Sequence, residues 1–146
     1  GSGPTLELVT DDEGKPFETQ GLTITPIEVN HPVLCTGLLV DDGEVSLAFT
    51  SDTYKTDRFW AEANRLSNLR AIFVDVSFPS TEEGLAERSG HLTPRSLYEE
   101  MSKIEGEPIV YAVHIKPFFR TAVVDELAGL GHPRIKVAEI NREYSW

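Results

Sequence analysis

Four ionisable residues, His31, Asp52, Asp75 and His114, each stand at or just past the C-terminal end of an apolar stretch that reads as a strand. Ligand and catalytic groups collect at such ends because the strand holds them rigidly while the following loop leaves room for a substrate. Two imidazoles and a carboxylate suit zinc or manganese, and an aspartate can bridge two such ions about 3.5–4 Å apart. Any one of these residues alone is more often a turn-former or a satisfied hydrogen-bonder than a ligand; their common placement points to one site. A fifth residue, His91, lies in SGHLTP (Ser89–Pro94), where Gly90 allows a close backbone approach and the helix starting at Thr93 or Pro94 holds the loop. Helix-start architecture alone also accounts for Ser89 and Thr93.

The elements that must carry these residues follow from periodicity. TLELVT (5–10) and LTITPIEV (22–29) read as strands, and DDEGKP between them as the turn of a hairpin. TGLLV and VSLAFT form a second hairpin around DDGE, whose Asp-Gly pair is a strong short-range turn signal. Thr56 to Leu66 reads as a helix with Phe59, Ala63 and Leu66 on one face and Thr56 or Asp57 as its cap. AIFVDVSF (71–78) and PIVYAVHI (108–115) are continuous apolar runs of the kind found in buried strands. Between them TPRSLYEEMSKI reads as a helix with Thr93 as N-cap and Pro94 at the first position, and FRTAVVDELAGLG and RIKVAEI close the chain as helix and strand. Hairpins followed by alternating strands and helices imply a sheet covered by helices on one face.

With 146 residues the chain is long enough for one domain, 1–146, and residues 1–19 read as a peripheral hairpin whose first residues are compatible with a cloning scar. No run approaches the roughly 18 apolar residues of a membrane span, so no membrane partner is expected. Cys35 is the single cysteine, which excludes an internal disulfide and a four-cysteine metal site and fits a cytoplasmic location. Thirteen basic against 24 acidic residues give a net charge of −11, which opposes long-range attraction of a nucleic acid. A small anion stays open, because bound divalent ions can dominate a local field.

The segments GLTITPIEVNHPVLCTGLLV, SLAFTSDT, AIFVDVSFP, SGHLTP and VYAVHIKP, in this order, resemble the C-terminal half of the metallo-β-lactamase-fold phosphodiesterases, most closely the class that hydrolyses 3′,5′-cyclic nucleotides. The likeness runs over residues 20–146. It implies an α/β (α+β) fold that is half of an αββα sandwich, a mixed sheet with helices on one face. It implies His31 and His114 as metal ligands and Asp52 as the bridging ligand, with two divalent transition ions, zinc or manganese, as cofactors. DVSF and SGHLTP are similar to a ribonuclease Z pattern, by which Asp75 orients and charge-stabilises His91 and His91 protonates the leaving alkoxide or contacts the phosphate. The nucleophile is then a hydroxide held between the two ions, and Lys116 is a candidate phosphate contact.

The family's main metal signature, H-x-H-x-D-H, belongs to its N-terminal half and does not occur here: the four histidines are His31, His91, His114 and His132, and His132 in GHPR reads as a turn residue. Three ligands cannot complete two metal sites. The expectation is therefore a metal-dependent phosphodiesterase of small 3′,5′-cyclic nucleotides such as cAMP, active only when the N-terminal half is supplied. That half would come from another polypeptide or from a second copy of the chain, whose two-fold dimer would cover the exposed inner sheet face. The alternatives are a non-catalytic dimerisation or partner-binding half-domain, and a ribonuclease Z-like RNA-processing nuclease, which the acidic balance disfavours.

Overall fold

The computed structural model describes residues 13–139 and 142–146. Seven strands form one sheet in chain order: β1 (Phe17–Thr19), β2 (Leu22–Glu28), β3 (Thr36–Asp41), β4 (Ser46–Phe49), β5 (Leu69–Asp75), β6 (Ile109–Val113) and β7 (Ile135–Val137). The first three pairings are antiparallel and the last three parallel. Helix α1 (Arg58–Ala63) links β4 to β5, α2 (Glu83–Ser89) and α3 (Pro94–Glu100) link β5 to β6, and α4 (Arg120–Gly129) links β6 to β7. This is the expected mixed sheet of hairpins followed by helix-linked parallel strands.

Register shows why one face carries the core. Leu39 pairs with Ala48, Ala48 with Ile72, Ile72 with Val110 and Val110 with Ile135, so these five share one face across five strands. They form a single buried cluster with Phe59, Trp60 and Ala63 of α1, Leu97 of α3, and Val123 and Leu127 of α4. The adjacent row, Leu38–Phe49–Phe73–Tyr111, points the other way by the period of two and is only half-buried. Phe73 stacks on Phe49 at 5.0 Å and on Tyr111 at 5.1 Å, and Tyr144 and Trp146 lie over this ladder. Beside Trp146 a cavity of about 550 Å³ opens between Leu22, Ile24, Val40 and Leu47 on the same face.

Several boundaries differ from the expectation. The expected first strand, 5–10, lies outside the described residues; β2 instead pairs with Phe17–Thr19 through Gln20 and Gly21, both at positive φ, as a two-residue hairpin requires. Helix α2 had no counterpart in the sequence reading. Helix α3 starts as expected, with Thr93 Oγ1 accepting from the Ser96 N–H and the Ser96 hydroxyl accepting from the Thr93 N–H. Helix α1 starts where expected, with Asp57 at the cap position though without a side-chain cap bond. It ends at Ala63 instead of Leu66, because the Arg65 and Leu66 N–H groups tighten onto the carbonyls of Glu62 and Ala63. Ahead of the helix, Thr56 gives its N–H to the Glu100 carboxylate. Glu100, 1% exposed, also accepts from Trp60 Nε1 at 3.0 Å and pairs with Lys103 at 2.6 Å, bracing α1 against α3. His132 is the turn residue expected, its Nδ1 accepting from Arg134 N–H. Among the described residues no helix is long and apolar enough to cross a membrane.

Candidate metal and acid–base centre

Asp75 is the last residue of β5, and its side chain is fully buried. A carboxylate removed from water needs hydrogen-bond donors, and three surround it. Thr53 N–H donates to Oδ2 at 3.3 Å, the Ser77 hydroxyl donates to Oδ1, and His91 Nδ1 lies 2.7 Å from Oδ2. Ser77 Oγ also stands 3.2 Å from His91 Nδ1, so the imidazole is held from two sides. With Nδ1 committed to Asp75, Nε2 is the nitrogen left for chemistry.

Main-chain bonds lock the loops that carry these groups. Val76 N–H donates to Val113, Ser77 N–H to Leu92 and Lys116 N–H to Ser77, which ties the loops after β5 and β6 to the His91 segment. Gly90 ends α2 in the left-handed region, with φ 80° and ψ 42°, and turns the chain so that His91 N–H caps Ala86. A Cβ on Gly90 would come within 2.5 Å of His31 Cδ2 and of Pro32 Cδ, so the glycine is what lets the two histidine loops meet. The His31 and His91 rings stand edge to face at 5.6 Å.

The His91 pKa is raised above its ordinary value, first by the hydrogen bond to Asp75, against burial, and further by the charges of Asp75 and Asp52; Lys116 opposes the shift. A raised imidazole pKa keeps a proton on the ring into the neutral range, which suits a proton donor. Burial, then the charges of Asp52 and Asp75, raise the Cys35 thiol.

Asp52 occupies the middle of the site. Among the described residues, ligand atoms of His31, Asp52 and His91 lie within 4.8 Å of one another, and so do those of Asp52, Asp75 and His114. His114 Nδ1 is 3.6 Å from Asp52 Oδ1, and both side chains are about half exposed, at 58% and 47%. Ser51, just before Asp52, and His114 itself adopt positive φ of 56° and 60°, a conformation that costs L-residues energy and that recurs where a scaffold aims functional groups. The expected ligands thus meet around Asp52, but His31 and His114 fall into separate groups, the first beside His91 and the second beside Asp75. Lys116 sits with its Nζ 5.9 Å from the Phe78 ring centroid, near His91. Thr53 and Ser77 complete the support of Asp75 without a sequence motif of their own, apart from the Asp75-Val-Ser77 spacing in DVSF.

A family model described as a β-lactamase superfamily domain matches residues 2–115, and the chain belongs to that family. Solved structures share the fold: the metallo-β-lactamase fold protein YhfI from Bacillus subtilis, at 18% identity and TM-score 0.71, over 86% of this chain and 50% of that one. Zn(2+)-bound PqqB from Methylobacterium extorquens matches at 17% identity and TM-score 0.68, over 87% and 52%. The short form of human tRNase Z matches at 12% identity and TM-score 0.63, over 84% and 41%. The chain therefore spans about half the length of these structures. No curated protein sequence is significantly similar to it.

Proposed function

We propose that this chain carries the acid–base half and part of the metal half of a metal-dependent phosphodiesterase acting on small 3′,5′-cyclic nucleotides such as cAMP. The observation that carries the reading is the buried Asp75–His91 pair set beside an aspartate, Asp52, shared by two groups of metal-ligating atoms. Hydrolysis adds the oxygen of water to phosphorus and breaks one P–O ester bond, and the departing alkoxide needs a proton. His91 Nε2 supplies it, while Asp75 fixes the tautomer and stabilises the charged ring.

The donor set of imidazole nitrogens and carboxylate oxygens fits zinc or manganese. His31 and Asp52, and Asp52 and His114, would hold two divalent ions, which when bound supply Lewis-acid activation of water and offset charge on the phosphoryl oxygens. The third members of the two groups, His91 and Asp75, are committed to each other, so each ion would have two ligands from this chain, and a closed tetrahedral site takes four. Further donors come, on this reading, from an H-x-H-x-D-H half or from a second copy of the chain, either of which would also cover the half-buried Leu38–Phe49–Phe73–Tyr111 row. A net charge of −11 favours a small substrate over RNA.

The test is cAMP hydrolysis by the chain complemented with an H-x-H-x-D-H half, with bound metal counted by mass spectrometry. Asp52→Ala is expected to lose both metal and turnover, and His91→Ala to keep the metal and lose about 10²–10⁴-fold in rate. Turnover unaffected by Asp52→Ala would remove the proposed site, and turnover of a transfer-RNA precursor without cAMP hydrolysis would replace the substrate.

A further inference from the structure

Phe118 is 90% exposed, more than any other large apolar residue among those described. A single exposed apolar side chain needs no explanation in general, but this one is wired to the acid–base centre. Its ring stands edge to face on Phe119 at 4.9 Å, Phe119 on Phe78 at 5.8 Å, and Phe78 on His91 at 5.7 Å. The segment is also preset: Pro117 opens a short 3₁₀ turn, Phe119 N–H donates to Lys116, and Lys116 N–H donates to Ser77 beside the buried carboxylate. An exposed ring on a rigid, buried-anchored turn loses little freedom when a ligand covers it.

The chemistry beside it narrows the ligand. Lys116 Nζ lies over the Phe78 ring, and among the described residues it pairs with no carboxylate. A cation and an open aromatic face on one short segment of a chain of net charge −11 match a ligand that joins an anionic group to a planar ring. We propose that Lys116 and Phe118 form a subsite for a planar heteroaromatic ring of the substrate, the ring stacking on Phe118 while its phosphate faces Lys116 and His91. This rests on the phosphodiesterase reading and adds to it that a nucleobase, and not only the sugar phosphate, is recognised.

The experiment compares 5′-AMP with ribose 5-phosphate, the same anion without the ring, by calorimetric titration of the full chain. The wild type is expected to bind 5′-AMP about tenfold more tightly or better. Phe118→Ala should bring 5′-AMP down to the affinity of ribose 5-phosphate and leave the latter unchanged, and Phe118→Trp should restore the difference. An equal preference for 5′-AMP in wild type and Phe118→Ala overturns the subsite, and so does a change in solution mass on Phe118→Ala, which would make the ring a protein contact. If neither ligand binds the wild type the subsite is overturned, while the phosphodiesterase reading stands or falls separately on cAMP hydrolysis by the complemented assembly, in which His91 donates a proton and is not required for ground-state binding.

Discussion

Replacing Gly90 by alanine tests the joint between the two histidine loops. At φ 80° an L-residue costs about 1–2 kcal/mol, of which about 0.4–1 kcal/mol is returned because alanine has less freedom than glycine in the unfolded chain. The new Cβ would then lie 2.5 Å from carbons of His31 and Pro32, where carbon atoms prefer about 3.5–4.0 Å. Those loops must give way by about 1 Å, an overpacking that costs about 1–3 kcal/mol. The expected loss is about 1–4.5 kcal/mol. Gly21→Ala supplies the control: it shares φ 80° but would meet nothing within 4 Å, so only the net dihedral cost of about 0–1.5 kcal/mol applies, which leaves it about 1–3 kcal/mol less damaged than Gly90→Ala. Urea unfolding of both variants, with unchanged m, reads the difference directly. Zinc affinity should also fall in Gly90→Ala and stay level in Gly21→Ala, because only the first moves His31. Equal losses in the two variants would refute the tight seating of Gly90 against His31.

Asp75→Asn should lower the titration midpoint of His91, followed by NMR of the metal-free chain, since the hydrogen bond to Asp75 is the main cause of its raised pKa. Because the folded value is the higher one, the stability His91 contributes is fully present below the unfolded pKa of about 6.5 and is lost as pH rises through the folded pKa. Wild-type stability should therefore fall across that window and the variant's should fall less; an unmoved midpoint would show that Asp75 does not charge the ring. Glu100→Ala strands the Trp60 and Thr56 N–H groups in the core, and should cost about 2–5 kcal/mol in urea unfolding with the His91 titration unchanged. A loss under about 1 kcal/mol would mean that α1 is held by its apolar contacts alone.

What was legible in the sequence was whatever local pattern dictates. The Asp-Gly turn set the β3–β4 hairpin, the unbroken apolar runs became β5 and β6, and Thr93-Pro94 marked the start of α3. Helix α2 buries only Ala86, so it has no apolar stripe for a 3.6-residue period to reveal. Strand β1 is three residues long, and its Gln20-Gly21 turn is a weaker signal than Asp-Gly. In the site, placement at strand ends brought Asp52, Asp75 and His114 to attention, and the Asp75–His91 hydrogen bond joins two motifs that resemblance had paired. The support of Asp75 by Thr53, 22 residues away, arises only when β4 and β5 lie side by side. The division of ligands around Asp52 likewise depends on side-chain directions that spacing does not encode.

The sheet's strand order has a consequence for the order of folding. Each strand pairs with the one that follows it in the chain, but only the first three pairings close through short connections; the parallel pairings of β4–β5, β5–β6 and β6–β7 each wait for a helix-bearing crossover, and such non-local closures slow folding. The centre around Asp52 is assembled across that slower half. His31 follows β2, Asp52 follows β4, Asp75 ends β5 and His114 follows β6, so its parts arrive one strand at a time and the last arrives only when β6 has docked. Ligand capture by this centre is thus a late event in folding, and its onset in a refolding experiment would clock the docking of β6.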